Sequence, residues 1–97
     1  MFWSKVFTTK EEIVVAICDE ELLDKKVEFK GHMVRITKKF YGGERIDEKE
    51  AVELMEKATI GNLFGKRIIK LAEKHGFIGK ENVIRVGGIP HAQFAKM

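Results

Sequence analysis

The chain has few of the residues that mark secreted, membrane-spanning or disordered proteins. Its 97 residues include a single cysteine, Cys18, which excludes an internal disulfide framework. The longest apolar run, residues 13–18, is too short to cross a bilayer or to form the core of a signal peptide. Pro90 is the only proline, and linkers, repeats and low-complexity segments are absent from the sequence. We therefore expect one reduced, soluble, cytoplasmic domain over residues 1–97, with no membrane association.

Charge is plentiful but unevenly distributed along the chain. Charged residues make up 34% of the sequence, and the formal net charge is +3. Residues 41–60 contain three basic and six acidic side chains, whereas residues 61–97 contain seven basic and two acidic ones. This segregation predicts surfaces of opposite sign, of which the basic one would suit a polyanion. The high charged fraction, with few thermolabile residues, is typical of a hyperthermophile.

Hydrophobic patterning predicts strands in the first 40 residues. Residues 2–8 and 13–17 are predicted strands, and alternating residues on both sides of Gly31 predict a hairpin. Asp47 and Glu50 have the spacing of a capping box and predict the start of a helix, with Ile46 packed on Ala51.

A second helix is predicted with Asn62 as its N-cap and Gly76 just beyond its end, followed by a strand at residues 83–86. One face of this helix would be its core side, formed by Phe64, Ile68, Leu71, Ala72 and His75. This order of elements favours an α+β fold, a two-layer sandwich of a mostly antiparallel sheet with two helices on one face.

The second helix also presents a cationic stripe on the side away from its core residues. Lys66, Arg67, Lys70 and Lys74 occupy an arc of roughly 100° on a helical projection. Such a stripe can follow a phosphate backbone. The alternative interpretation is an ordinary solvated helix face.

The segment from residue 38 to residue 45 combines basic residues, an aromatic pair and a glycine turn. Lys38, Lys39 and Arg45 are candidates for phosphate contacts, and an exposed Tyr41 ring could stack on a base. The alternative is that Phe40 lies in the core, Tyr41 is half-buried, and the glycines only form the turn.

Two glycines and Pro90 predict an extended chain over residues 87–93, with His91 and Gln93 on one side. Histidine can transfer protons or stack, and a glutamine amide can contact a base edge. The alternative is a C-terminal strand with exposed polar residues.

The sequence contains no convincing metal or nucleotide motif. Cys18, His32, His75 and His91 lack the spacing of metal ligands, so we expect no metal and no cofactor. Residues 61–67 resemble a phosphate loop only superficially, because the glycines are one residue too close and Arg67 replaces the magnesium-binding Ser or Thr. Cys18 ends an apolar run, which favours a core role over a nucleophilic one.

Four segments together resemble the archaeal domain of unknown function 424 family. They are Cys-Asp-Glu-Glu-Leu-Leu from Cys18, Phe-Tyr-Gly-Gly from Phe40, Ala-Thr-Ile-Gly-Asn-Leu-Phe-Gly from Ala58, and Gly-Ile-Pro-His-Ala-Gln from Gly88. The resemblance implies a small archaeal α+β domain without a settled activity, encoded near translation and ribosome-maturation genes. It also implies that these segments meet in space, around Asp19, Tyr41, Asn62, His91 and Gln93. Lys66 and Gly61 depart from the family pattern, which makes Lys66 a poor choice for a contact shared by the family.

Three hypotheses about function follow. The first is a non-catalytic protein of translation or ribosome maturation that binds RNA or a ribosomal subunit, with a translation-related protein as a further possible partner. Its RNA-binding residues would be Lys38, Lys39, Tyr41, Arg45, Arg67, Lys70, Lys74, His91 and Gln93, converging on one cationic platform. The second is a small enzyme with His91 as acid or base, oriented by Asp19 or Glu20. Asn62 or the amides of Gly42 and Gly43 would hold an oxyanion or a phosphate. The third is a protein-interaction adaptor that uses Phe2, Trp3 and Phe94. We expect the first, and therefore expect the protein not to be an enzyme.

Overall fold

The computed structural model describes residues 1–96 and contains one large sheet, one hairpin and three helices. The strands are β1 (Phe2–Thr8), β2 (Ile13–Asp19), β3 (Lys26–Phe29), β4 (His32–Arg35), β5 (Glu44–Ile46), β6 (Ile60–Phe64), β7 (Val83–Val86) and β8 (Ile89–Ala95). The helices are α1 (Lys38–Tyr41), α2 (Glu48–Lys57) and α3 (Lys66–Lys74), with short 3₁₀ turns at Glu20–Leu22 and Lys80–Asn82.

The large sheet has the strand order β5-β1-β2-β6-β8-β7, and β3 pairs only with β4. Every neighbouring pair in the large sheet is antiparallel except β2 and β6, which run parallel. The predicted α+β fold with a mostly antiparallel sheet is therefore confirmed, as is the hairpin around Gly31.

One face of the sheet is covered by α2 and α3, and we call it the helix face. Its core contains Val15 and Ile17 from β2, Leu63 from β6, Met55 from α2 and Ile68 from α3, all at most 1% exposed. These residues come from alternate positions of the strands and from one side of each helix, as a sandwich requires. The prediction of two helices on one face is confirmed.

The opposite face is partly covered by α1 and the β3–β4 hairpin, and we call it the hairpin face. A second apolar cluster lies there, with Cys18 from β2, Val27 from β3, Tyr41 from α1 and Phe64 from β6. The hairpin and α1 pack against this side, so the sheet is the middle layer of the structure. The sequence-based expectation of two layers omitted this third layer.

The helix signals in the sequence are correct for α2 but not for the beginning of α3. At α2, Asp47 Oδ1 accepts from the Glu50 N–H at 2.8 Å, and Glu50 Oε1 accepts from the Asp47 N–H at 3.1 Å, forming the predicted capping box. Gly76 has a φ of 77° just beyond α3, as predicted for its end. Asn62, however, is not a helix N-cap, because it lies in the middle of β6 and is paired with both β2 and β8.

Because residues 60–64 form a strand, the set of core residues predicted for the second helix is only partly correct. Phe64 belongs to β6 and packs in the cluster of the hairpin face, while Ile68, Leu71 and Ala72 pack on the helix face. His75 follows α3 and is exposed. The C-terminal tail forms β8, so the predicted extended chain with His91 and Gln93 on one side is confirmed from Ile89 onward. Gly87 and Gly88 form the turn between β7 and β8 instead of extended chain.

Candidate nucleic-acid interface

The amino-terminal end of α3 is capped by a side chain from another element. Asp19, at the end of β2, is 1% exposed, and its two carboxylate oxygens accept from the N–H groups of Arg67 and Ile68, each at 2.9 Å. Burial raises the pKa of Asp19, while these two hydrogen bonds oppose that rise. Gly65 has a φ of 126°, and a Cβ there would lie 2.3 Å from Asp19 Cγ. Because Asp19 occupies the position that an anion would take, this helix end has no room for a phosphate.

The outer side of α3 presents the cations that the helical projection predicted. Lys66, Lys70 and Lys74 are exposed, and none of them forms an ion pair within residues 1–96. An open groove of about 340 Å³ runs between α3 and the β7–β8 hairpin. Its charged lining residues are Lys66, Lys70, Glu73, Lys80 and Arg85. Four cations and one carboxylate therefore face the same groove.

We call the set Lys66, Lys70, Lys74, Lys80 and Arg85 the α3 surface. Lys74 does not line this groove; it lies on the same side of α3 as Lys70 and borders a neighbouring groove that also contains Glu48 and Glu73. Lys80 comes from the turn after α3, and Arg85 comes from β7, where its guanidinium donates to the Gly88 carbonyl at 3.1 Å. Neither residue belongs to the stripe predicted from the helical projection. Lys80 and Arg85 both lie in the basic carboxyl-terminal third, which is the signal that could have identified them.

The two predicted arginine contacts are engaged with carboxylates. Arg67 pairs with Glu21 at 2.5 Å and lies 4.0 Å from Asp19, while Arg45 pairs with Glu20. These pairs lower the pKa values of Glu20 and Glu21, mainly through hydrogen bonds from the arginines. Arg45 and Arg67 therefore contribute little net positive charge to the surface.

The predicted single cationic platform is wrong. Lys38 and Lys39 belong to α1, which packs against β1 and β2 from the hairpin face, whereas Lys70 and Lys74 lie on α3 across the sheet. The chain crosses from one side of the sheet to the other between these two segments. The lysines therefore form two separate basic regions.

The structure reverses the expected roles of the two aromatic residues in α1. Tyr41 is 6% exposed and packs edge-on against Phe64, with ring centroids 6.3 Å apart, so it is not available to stack on a base. Burial raises the pKa of its hydroxyl. Phe40 is 38% exposed and stacks on Phe7, with ring centroids 5.4 Å apart and an interplanar angle of 26°. The exposed ring of this segment is that of Phe40.

Four of the five predicted central residues lie on the hairpin face. Tyr41 contacts Phe64, and Phe64 in turn contacts His91 at a centroid distance of 5.0 Å. Beside them, Gln93 Nε2 donates to Asn62 Oδ1 at 2.5 Å. Asp19 is the exception, because its side chain points to α3 on the helix face.

This separation removes the acid–base arrangement proposed around His91. Within residues 1–96, the His91 ring forms no hydrogen bond to a carboxylate, and Asp19 and Asn62 lie on opposite faces of the sheet. Burial lowers the pKa of His91. Asp19 is thus engaged with α3 and Glu20 with Arg45, so neither of these carboxylates orients the imidazole.

Within residues 1–96, we also searched for a reactive cysteine and for a group of metal ligands. Cys18 is completely buried, and burial together with the neighbouring Asp19 raises the pKa of its thiol to about 12, so the thiolate is not populated near neutrality. Within residues 1–96, no three His, Cys, Asp or Glu side chains are grouped as metal ligands would be. In the same part of the chain, none of the helices has both the length and the apolar character needed to cross a membrane.

The aromatic residues proposed for a protein adaptor are mostly internal. Phe2 is 1% exposed and belongs to the core of the helix face, and Trp3 is half-buried. Phe94 stacks on Phe77 with ring centroids 5.9 Å apart. These three residues therefore do not form an exposed apolar patch.

The fold is similar to that of a solved structure described as an uncharacterized conserved protein from Methanopyrus kandleri. The two chains are 22% identical and superpose with a TM-score of 0.84, over 99% of this chain and 93% of that one. A comparison with curated proteins gives no match. A family model described as protein of unknown function (DUF424) matches residues 7–97, which contain all four of the motif segments noted above. The chain therefore belongs to the DUF424 family.

Proposed function

We propose that the protein is a non-catalytic RNA-binding protein, associated with RNA or with a ribosomal subunit, and that the α3 surface is its main contact with phosphates. The observation that carries this proposal is that cations from α3, the following turn and β7 line one groove together with only one carboxylate. A face that is merely solvated usually mixes signs, as Lys49, Glu53 and Lys57 do on α2.

The absence of ion pairs at these lysines, within residues 1–96, strengthens the proposal. A lysine that pairs with a carboxylate must give up that partner before it can bind a phosphate. Lys66, Lys70 and Lys74 are spaced so that they follow one another along the same side of the helix. They can therefore contact successive phosphates of one strand and release counterions.

The test is binding of a labelled RNA hairpin, measured by fluorescence anisotropy over a range of salt concentrations. The K70E/K74E variant is compared with K49E/K57E, which has the same charge change on exposed lysines of α2. We expect K70E/K74E to weaken binding at least about tenfold and to reduce the salt slope by about two, because two phosphate contacts are lost. The α2 variant should change binding only slightly.

A second arm measures co-sedimentation with purified ribosomal subunits at low salt. Wild-type protein should sediment with a subunit, and K70E/K74E should remain in the supernatant. Equal losses in the two double variants would indicate a general effect of net charge and would overturn the role of the α3 surface. Absence of wild-type binding to both the hairpin and the subunits would overturn the proposed function itself.

A further inference from the structure

Next to α1, four residues of the hairpin face form a row across the sheet. Gln93 is exposed and Lys5 is half-buried, whereas Asn62 is 9% exposed and Ala16 is completely buried. Lys5, Ala16, Asn62 and Gln93 lie opposite one another on the neighbouring strands β1, β2, β6 and β8. Directly paired residues project from the same side of a sheet, so this row spans three strand intervals, or about 14 Å. Together with Phe7 and Phe40, which adjoin Lys5, we call Lys5, Asn62 and Gln93 the open face.

The aromatic end of the open face is suited to stacking. Phe40 lies on Phe7 in a nearly parallel arrangement, and its ring is more than one third exposed. The Lys5 ammonium lies 5.5 Å from the centre of the Phe7 ring and donates to the Lys39 carbonyl at 2.8 Å. A flat ring placed on Phe40 would extend an existing stack beside positive charge.

The other end of the open face offers hydrogen-bonding groups. Asn62 and Gln93 bind each other through one donor and one acceptor. Within residues 1–96, the Asn62 amide nitrogen and the Gln93 carbonyl oxygen have no other hydrogen-bond partner. Whichever way the two amides are turned as a pair, one donor and one acceptor remain side by side. The edges of nucleobases present the same combination.

The charges around the open face identify the occupant. Lys5, Lys38 and Lys39 are close to Phe40 in α1 and β1, and none forms an ion pair within residues 1–96. A stacking ring, an amide pair and unpaired lysines suit a ligand that has flat rings, polar edges and negative charge. A duplex hides its ring faces and pairing edges, whereas a single strand presents them.

We propose that the open face binds unpaired bases of single-stranded RNA, with a base stacked on Phe40 and another hydrogen-bonded to Asn62 and Gln93. This inference rests on the proposed function, because both require an RNA ligand, but it uses the side of the sheet opposite α3. Because Ala16, between the two ends of the row, is completely buried, each end would hold a different base of the same strand.

The experiment measures anisotropy with two labelled probes, an oligoadenylate of about 12 nucleotides and the RNA hairpin. Phe40→Ala combined with Gln93→Ala should weaken oligoadenylate binding about tenfold or more, because one stacked base is lost, and should leave hairpin binding within about twofold. Val6→Ala is the matched control, since Val6 is 45% exposed on β1 but projects from the helix face. Phe40→Trp should retain binding, and its indole fluorescence should change on addition of the oligonucleotide.

The outcomes separate the inference from the proposed function. Equal weakening of both probes by the Phe40 and Gln93 substitutions, or no weakening of either, would overturn the role of the open face. Wild-type binding to the hairpin but not to oligoadenylate would also overturn it while sparing the α3 surface. If oligoadenylate binding depends on Phe40 but K70E/K74E binds both probes as the wild type does, the open face is retained and the α3 surface is rejected. Binding to neither probe rejects both.

Discussion

The two faces of the central sheet differ in how they are closed. On the helix face, α2 and α3 cover a continuous apolar layer in which Ile68 and Met55 are completely buried. On the hairpin face, the short α1 and a two-stranded hairpin leave Phe40 and Ile84 exposed, and Asn62 stands in a central strand. A polar residue at that position adds nothing to an apolar core. The helix face is therefore the more completely covered side of the sheet, and the hairpin face has a smaller buried cluster beside an exposed aromatic ring.

The largest expected difference between the two faces is seen when one isoleucine on each face is replaced by alanine. Ile68→Ala should lower the free energy of unfolding by about 4 kcal/mol, because it leaves a cavity in a close-packed core. Ile84→Ala should cost less than about 0.5 kcal/mol, since Ile84 is 51% exposed on β7. Guanidinium unfolding followed by circular dichroism measures both. Equal costs would mean that the hairpin face is packed as tightly as the helix face.

A second test compares the two neighbouring aromatic residues of α1. Tyr41→Ala should cost about 3 kcal/mol, because Tyr41 fills the cluster between α1 and Phe64. Phe40→Ala should cost about 1 kcal/mol, since one side of that ring is already in solvent. Tyr41→Phe is the control and should change stability by less than about 0.5 kcal/mol, because the hydroxyl has no hydrogen bond within residues 1–96. A larger cost for Phe40→Ala than for Tyr41→Ala would contradict the assignment of the buried ring.

These two residues also illustrate what the sequence could and could not predict. The capping box of Asp47 and Glu50 is a contact over three residues, so its presence and the start of α2 follow from spacing alone. Tyr41 and Phe40 are adjacent aromatics in a four-residue helix, which has no periodicity to indicate its buried side. Which ring faces the sheet depends on how α1 docks, and this is a property of the whole fold.

The error at α3 has the same physical origin. Its cap, Asp19, is 48 residues away from Arg67, so no local pattern indicates it. Residues 60–64 contain Gly61 and Asn62, which are poor strand formers by composition. They form β6 because β2 and β8 pair on both sides and Gln93 satisfies the Asn62 side chain. The helical projection correctly predicted that Lys66, Lys70 and Lys74 are exposed on one side of α3. The side of the sheet on which Lys38 and Lys39 lie depends on the topology and could not be predicted in this way.

The third test concerns the distant cap of α3 on the helix face. Asp19→Ala should cost about 2 kcal/mol, because it leaves the N–H groups of Arg67 and Ile68 without acceptors at a partly buried site. Asp47→Ala removes the exposed local cap of α2 and should cost about 1 kcal/mol. Urea unfolding of both variants gives the comparison. A smaller cost for Asp19 than for Asp47 would show that α3 is held by its packing alone.

The smallest expected effect is a pH dependence from the hairpin face. Burial lowers the pKa of His91 below its ordinary value of 6.5, so the folded protein binds this proton less tightly than the unfolded chain does. Unfolding therefore takes up a proton as the pH falls below about 6.5, and stability decreases from there through the folded pKa. The His91→Gln variant has no titratable side chain at this position. Its thermal stability should therefore fall less than that of the wild type between about pH 7 and pH 5. Taking the difference between the two proteins removes the contribution of Asp19, whose raised pKa gives a dependence of opposite sign. Identical pH profiles would mean that the His91 ring is as well solvated in the folded state as in the unfolded chain, and that the hairpin face is more open there than the packing against Phe64 implies.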